Sequence, residues 1–184
     1  MRIISGKRRG KKLHTFHGSR IRPTADRMRE SIFNILSSRV QDATVLDLYA
    51  GTGALGLEAV SRGAQSAVFI DNARHSLSLL KKNINTCGML KETRIIKWDI
   101  VRNLNCLKKT RPRFDLIFMD PPYGMNMVYP TLMHLHDSAA ARPAARIVIE
   151  HGIDETMPKD LRFFRMIDHR KYGKTLVSFF DYML

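Results

Sequence analysis

The sequence predicts an α/β fold with a mostly parallel, seven-stranded sheet and an antiparallel hairpin at one edge. From residue 44 onward, short apolar segments alternate with amphipathic segments, as expected for parallel strands covered by helices on both faces. A glycine-rich turn follows the first apolar segment and indicates a tight strand-to-helix connection. Only a short turn joins the last two apolar segments, which indicates an antiparallel pair.

Each element is predicted from its apolar spacing and from the residues that end it. The helices are expected over residues 24–38, 54–62, 73–87 and 128–140. Gly63 and Gly88 follow two of these helices as C-caps. The strands are expected over residues 44–49, 66–70, 93–98, 114–119, 146–150, 163–170 and 176–183.

Two regions are expected along the chain. Residues 1–22 form a short basic extension, in which segments 1–5 and 11–16 pair as a β-hairpin around Gly6 and Gly10. Residues 23–184 form a single α/β domain, since no repeat, low-complexity tract or linker interrupts them.

The charge of the chain indicates a polyanionic partner. The formal net charge is +14, and residues 1–30 contain ten Lys and Arg against two acidic residues. Positive charge is thus concentrated near the N-terminus. Nucleic acid is the commonest polyanion that such a surface binds, although a merely solvated basic surface is the alternative.

The composition also argues against several classes of protein. No apolar run approaches the roughly 20 residues of a membrane span, and no apolar stretch follows the basic N-terminus as in a secretory signal. Cys87 and Cys106 suggest no disulfide framework, which favours the reducing cytoplasm. The histidines show no ligand spacing, so no metal is expected.

The glycine turn predicts a cofactor site. Gly51, Gly53 and Gly56 satisfy the G-x-G-x-x-G pattern, which taken alone is weak evidence. Asp47 lies four residues before Gly51, at the end of the first strand. A carboxylate there would repel the pyrophosphate of a dinucleotide but would attract the ammonium and sulfonium groups of S-adenosylmethionine.

Two further carboxylates follow the next strands. Asp71 ends the second strand, where it can accept hydrogen bonds from ribose hydroxyls, and Asp99 ends the third, where it could bind the adenine amino group. Ligands of open parallel sheets bind at these carboxyl ends. The predicted cofactor residues are Asp47, Gly51, Gly53, Asp71 and Asp99.

The segment Asp-Pro-Pro-Tyr at 120–123 is the most specific motif. Its prolines fix the backbone and leave a cluster of hydrogen-bond acceptors, which suits a planar amino group. Tyr123 supplies a surface on which a flipped or unpaired base can stack. The alternative is a proline turn that ends a buried strand. Asp120, Pro121 and Tyr123 are the predicted catalytic residues, acting through orientation rather than through a strong general base.

The sequence resembles the bacterial 16S ribosomal RNA guanine-N2 methyltransferase family over nearly its whole length. The resemblance rests on MRIISGKRRGKKL at 1–13, RPTADRMRESIFN at 22–34, LDLYAGTGALGLEA at 46–59 and DPPY at 120–123. It implies a Rossmann-like class I methyltransferase, S-adenosyl-L-methionine as cofactor, and the N2 amine of a guanine as target. It also implies a small ribosomal subunit as partner, and a monomer. Asp71 stands where many relatives have Glu, a change that keeps the carboxylate but shortens its reach.

With this resemblance, the N-terminal cations become candidate RNA contacts. Arg27 and Arg29 could equally be solvated helix residues, and Arg22 could fold over the cofactor. The candidates are Arg8, Arg9, Lys11, Lys12, Arg22, Arg27 and Arg29.

Other functions remain open at this point. The same motif serves adenine-N6 methylation of DNA or RNA, which ranks second because the sequence shows no separate target-recognition domain. From a different class, the chain could be a non-catalytic RNA-binding protein that retains the cofactor fold.

Overall fold

The computed structural model describes residues 1–16, 23–109, 113–155 and 161–184. The helices are α1 (Pro23–Leu36), α2 (Ala54–Ser61), α3 (Arg74–Cys87) and α4 (Val128–Ser138). The strands are β1 (Thr44–Leu48), β2 (Ser66–Asp71), β3 (Thr93–Lys97), β4 (Phe114–Met119), β5 (Ala141–Gly152), β6 (Phe164–Tyr172) and β7 (Thr175–Tyr182). Short 3₁₀ turns lie at Ser37–Val40 and Asn105–Leu107.

Within the described residues, the strands form one seven-stranded sheet in the order β3-β2-β1-β4-β5-β7-β6. The first five strands in this order are parallel, whereas β7 is antiparallel to both β5 and β6. The predicted α/β sheet with an antiparallel edge hairpin is therefore confirmed. Because β1 to β5 run in one direction, their carboxyl ends lie along one edge.

The largest departure from the predicted elements is the start of β5, at Ala141 rather than residue 146. The register between β4 and β5 shifts after the pair Phe114–Ala141, and Ala144 has a φ of 59°. The side chains over 142–144 are exposed. A bulged, solvent-facing start to a strand carries no apolar pattern, so its pairing could not be seen in the sequence.

Apolar cores cover both faces of the sheet. The first contains Val45 and Phe118 and packs against α1, α2 and α3. The second contains Leu46 and Ile117 and packs against α4. Neighbouring residues of one strand thus enter different cores, as the alternation of side chains in a strand requires.

The N-terminal segment, here residues 1–16, packs into the first core through Ile3 and Leu13, which are buried. Within residues 1–16 its two ends meet in one antiparallel bridge, Arg2–Lys12, where the sequence predicted two paired strands. After this bridge the backbone N–H groups of Ile4 and Ser5 donate to the Glu58 carboxylate, at 2.8 and 3.0 Å.

Gly6 brings this segment against the end of α2. A Cβ atom at Gly6 would lie 1.8 Å from the Ser61 carbonyl oxygen, so a side chain has no space there. The same oxygen accepts the Lys7 N–H at 2.7 Å. This close backbone approach fixes the segment beside the helix that follows the glycine turn.

Candidate active site

A cleft of about 270 Å³ opens at the carboxyl edge of the parallel strands. Its floor and one wall come from the end of β1, the glycine turn, and the residues after β4. Its other wall comes from the N-terminal segment and α1. The lining includes Met1, Phe16, Met28, Ile32, Asp47, Tyr49, Gly51, Thr52, Asp120 and Glu150.

The glycine turn requires glycine for two different reasons. Gly51 and Gly53 have φ values of 54° and 76°, which L-residues with side chains adopt rarely. Gly56 is needed for space, because a Cβ there would lie 2.4 Å from the Phe69 ring. This close approach lets the Gly56 N–H donate to Asp47 Oδ2 at 2.9 Å.

Asp47 is a buried carboxyl group on the wall of the cleft, with a side chain 2% exposed. Its pKa is raised to about 7, mainly by burial; the Gly56 N–H opposes this rise and the charge of Asp71 adds to it. A cation bound beside Asp47 would stabilise its ionised form. The carboxyl group, the open backbone of the glycine turn and the adjoining cleft therefore fit the cationic end of S-adenosylmethionine.

Asp71 lies behind the glycine turn and already holds the backbone. Its carboxylate accepts the Gly51 N–H at 2.9 Å and the Ala73 N–H at 2.8 Å. Each oxygen retains a second acceptor position for a ribose hydroxyl. Asp99 is partly exposed and pairs with Arg102 at 3.2 Å. Burial raises the pKa of the nearby Tyr49 phenol, and the charge of Asp99 adds to the rise. Asp99 does not line the cleft itself.

Asp120 lies at the floor of the cleft, directly after β4. Solvent reaches its carboxyl group through the open mouth, although protein atoms surround it on the other sides. Burial raises its pKa well above the ordinary value, and the charges of Glu150 and Asp47 add to the rise. Pro121 behind it is buried, which fixes the start of the loop.

Tyr123 is 46% exposed beside this group. Its hydroxyl donates to Glu150 Oε1 at 2.6 Å and lies 3.3 Å from Thr175 Oγ1. Burial, followed by the Glu150 charge, raises the pKa of the phenol. The hydroxyl is therefore a fixed donor within the protein, while the exposed ring remains available to a base.

Sequence analysis missed several residues of the cleft. Glu150 follows the same rule as Asp47 and Asp120, since it is a carboxylate where a parallel strand reaches the carboxyl edge, and that rule could have identified it. Met1, Phe16 and Met28 gave no such signal. They reach the cleft only because the N-terminal segment and α1 fold over it.

The expected RNA contacts divide into four groups, of which the buried Arg29 is described below. Arg9, Lys11, Lys12 and Arg27 are exposed. Arg8 is half-buried, and its Nε donates to the Cys87 carbonyl oxygen at 2.9 Å. Arg22 lies outside the described residues.

Arg29 requires a correction, because its side chain is 3% exposed and cannot form a surface contact. It donates to the Arg2 carbonyl oxygen at 2.6 Å and pairs with Asp26 at 3.1 Å and Glu58 at 3.8 Å. Arg29 shares a face of α1 with the buried residues Ile32, Phe33 and Leu36. That spacing of three, four and seven residues could have indicated its burial from the sequence.

A second cavity, of about 640 Å³, lies between the N-terminal segment and α1. We call it the basic groove. Its charged lining consists of Arg2, Arg9, Asp26, Arg27, Glu30 and Arg62.

In the described part of the chain, no helix is both long and apolar enough to cross a membrane. Among the same residues, no three His, Cys, Asp or Glu side chains are grouped as a metal site would require.

Comparison with known proteins gives consistent similarities. A family model described as "Conserved hypothetical protein 95" matches residues 1–181. The chain is similar to the Ribosomal RNA small subunit methyltransferase D of Escherichia coli, with 35% identity over 158 residues, covering 86% of this chain and 78% of that protein. For the Haemophilus influenzae protein of the same name, the identity is 34% over 160 residues, covering 85% and 81%. The solved structure of yhhF from Escherichia coli matches with a TM-score of 0.84 and 30% identity, covering 100% of this chain and 98% of that chain.

Proposed function

The chain belongs to the Conserved hypothetical protein 95 family, and from this membership and the cleft we propose that it methylates the N2 amine of a guanine in 16S ribosomal RNA. The fold is the Rossmann-like class I methyltransferase fold that the resemblance implies. The coarser activity, transfer of methyl groups from S-adenosylmethionine to ribosomal RNA, rests on the relatives' names. The guanine and its N2 amine are the finer part of the proposal.

One observation carries the proposal: Asp47 beside the glycine turn and Asp120 after β4 line the same cleft. S-adenosylmethionine, when bound, supplies an electrophilic methyl group on a cationic sulfur. Asp47 and the open backbone at Gly51 and Gly53 hold its cationic part, and Asp71 and Asp99 receive its ribose and adenine. A cofactor held in this way would share the cleft with Asp120, the acceptor residue that follows β4.

Asp120 and the Pro121 carbonyl oxygen hold the target amine by accepting its two N–H bonds. An amine held this way would have its nitrogen lone pair drawn out of conjugation with the ring and available to the methyl carbon. The nitrogen would take up the methyl group as its bond to sulfur breaks and S-adenosylhomocysteine leaves, and it would then release its proton to solvent as a much stronger acid. Catalysis therefore depends mainly on orientation and exclusion of water.

The substrate is recognised through its phosphates as well as through the base. Four of the exposed cations, Arg9, Lys11, Lys12 and Arg27, belong to the N-terminal segment and α1, other residues of which line the cleft. Phosphate contacts position a nucleic acid without reading its sequence. A small ribosomal subunit is the proposed partner, and the enzyme acts in the cytoplasm as a monomer.

The test is transfer of labelled methyl groups from S-adenosylmethionine. Small subunits that lack the modification, naked 16S ribosomal RNA and duplex DNA are offered in parallel, and mass spectrometry identifies the product nucleoside. N2-methylguanosine on the subunits is the expected result. N6-methyladenine would overturn the guanine assignment, whereas cofactor binding without transfer to any substrate would favour the non-catalytic alternative.

A further inference from the structure

Asp120 and Glu150 leave neighbouring parallel strands side by side. Met119 of β4 and Ile149 of β5 are register partners, and the next residues are Asp120 and Glu150. Since Met119 and Ile149 point into the second core, their successors point to the opposite face of the sheet. Both carboxyl groups line the cleft there.

Glu150 is held in place from one side only. Tyr123 donates its hydroxyl hydrogen to Oε1, and the same hydroxyl contacts Thr175 on β7. Across the described residues, no other hydrogen bond to the Glu150 carboxylate is formed. Oε2 is therefore available as an acceptor in the cleft, beside the acceptor that Asp120 provides.

This pair of acceptors matches one base edge. Guanine presents N1–H and the N2 amine as adjacent donors, whereas adenine presents an unprotonated N1, an acceptor, beside its N6 amine. A carboxylate opposite N1 would bond to guanine and would oppose the lone pair of adenine. Buried polar groups left unpaired in this way give enzymes their strongest discrimination between similar substrates.

We propose that Glu150 contacts the target base at N1–H, beside the amine held by Asp120, and thereby selects guanine over bases that lack this hydrogen. This inference rests on the proposed function. Tyr123 then has two roles: its ring contacts the base, and its hydroxyl positions Glu150. Burial raises the pKa of Glu150, and the hydrogen bond from Tyr123 opposes this rise.

The probe is 2-aminopurine, which keeps the 2-amino group of guanine but has no hydrogen on N1. Small subunits are reconstituted with 16S ribosomal RNA that contains guanine or 2-aminopurine at the mapped target. The ratio of kcat/KM for the guanine subunits to that for the 2-aminopurine subunits measures how strongly methylation depends on N1–H. For the wild-type protein we expect guanine to be favoured by at least about 100-fold.

Glu150→Gln should lower kcat/KM on guanine subunits and reduce the ratio to below about 10, because an amide can donate to the unprotonated N1. Tyr123→Phe keeps the ring and should reduce the ratio less. Glu92→Gln is the matched control, since Glu92 precedes β3 and lies outside the cleft, and it should change neither value.

The outcomes separate the two proposals. If the wild-type protein does not methylate guanine subunits, the proposed function fails. If it does, but Glu150→Gln keeps the wild-type ratio or slows both substrates equally, Glu150 is structural and this inference is overturned. Should Glu150→Gln lose cofactor binding through misfolding, an unchanged ratio in Tyr123→Phe overturns the inference and a reduced one supports it.

Discussion

Asn83 and His14 are joined by two backbone-directed hydrogen bonds. The His14 N–H donates to Asn83 Oδ1 at 2.7 Å, and Asn83 Nδ2 donates back to the His14 carbonyl oxygen at 3.0 Å. The same Nδ2 donates to the Thr52 carbonyl oxygen at 2.9 Å. This buried side chain of α3 therefore connects the N-terminal segment to the glycine turn, the two walls of the cleft.

Asn83→Ala should lower the free energy of unfolding by about 1–3 kcal/mol, because backbone groups of His14 and Thr52 lose their partners. It should also weaken the binding of S-adenosylmethionine, since the glycine turn loses a support. Urea unfolding and calorimetric titration measure the two effects. Asn85→Ala, at an exposed position of the same helix, is the control. Equal unfolding curves for the two variants would show that Asn83 does not connect these elements.

The raised pKa of Asp47 should make cofactor affinity depend on pH. With a pKa of about 7, its carboxyl group takes up a proton as the pH falls from 7.5 to 5.5 and no longer attracts a cation. The affinity for S-adenosylmethionine should fall by about tenfold over this range. In Asp47→Asn the affinity should be low and independent of pH. A wild-type affinity that stays constant would contradict the proposed contact.

The raised pKa of Asp47 also predicts that the stability of the protein depends on pH. The folded protein binds the Asp47 proton more tightly than the unfolded chain does, so its ionisation removes stability as the pH rises from about 4 to about 7. In the absence of cofactor, Asp47→Asn should therefore raise the free energy of unfolding at pH 8 by about 1–4 kcal/mol, and by less at pH 5. Urea unfolding at the two pH values measures the difference. A variant that is less stable than wild type at pH 8 would refute the burial argument.

Asp120→Ala should keep the binding of S-adenosylmethionine but lose methyl transfer. The residue follows β4 and has no contact with the glycine turn among the described hydrogen bonds, so S-adenosylmethionine should bind within about threefold of the wild-type affinity. Methyl transfer to small subunits should fall by at least about 100-fold, because the amine loses its orienting acceptor. Calorimetry and labelled transfer provide the two readouts, and near-normal turnover would eliminate the proposed role.

Arg29 and Arg27 should behave in opposite ways, although they lie two residues apart on α1. Arg29→Ala should destabilise the protein by about 3–5 kcal/mol, since Glu58 and Asp26 lose a buried partner. Arg27→Ala should have little effect, because its side chain is exposed. Thermal and urea unfolding of both variants test this contrast. If Arg29→Ala were as stable as Arg27→Ala, the buried cluster would not contribute to stability.

Removing two cations from the basic groove should reduce the salt dependence of RNA binding. Each phosphate contact releases counterions, so Arg9→Ala combined with Arg27→Ala should lower the slope of log affinity against log salt by about 1–2. Arg39→Ala combined with Arg142→Ala removes the same charge near the amino ends of the strands and is the control. Filter binding to small subunits at several salt concentrations measures both slopes. Equal slopes would place the RNA elsewhere.

Local patterns in the sequence were sufficient to predict most of the fold. The element order, the antiparallel edge and the β4 boundaries at Phe114 and Met119 all follow from periodicities that a few neighbouring residues reveal. The start of β5 could not be predicted in this way, because the bulge before Arg146 leaves its pairing without an apolar signal.

The sequence by itself determined which chemistry the protein carries: Asp47 before a glycine turn, and Asp120 before two prolines and a tyrosine. Only the tertiary structure decided what these residues face. Glu150 lies beside Asp120 because β5 pairs with β4. The Arg29 side chain is buried because it pairs with the Glu58 carboxylate and donates to the Arg2 carbonyl oxygen. Such contacts join residues that lie dozens of positions apart, and their free energy depends on burial and geometry that no local stretch of sequence encodes.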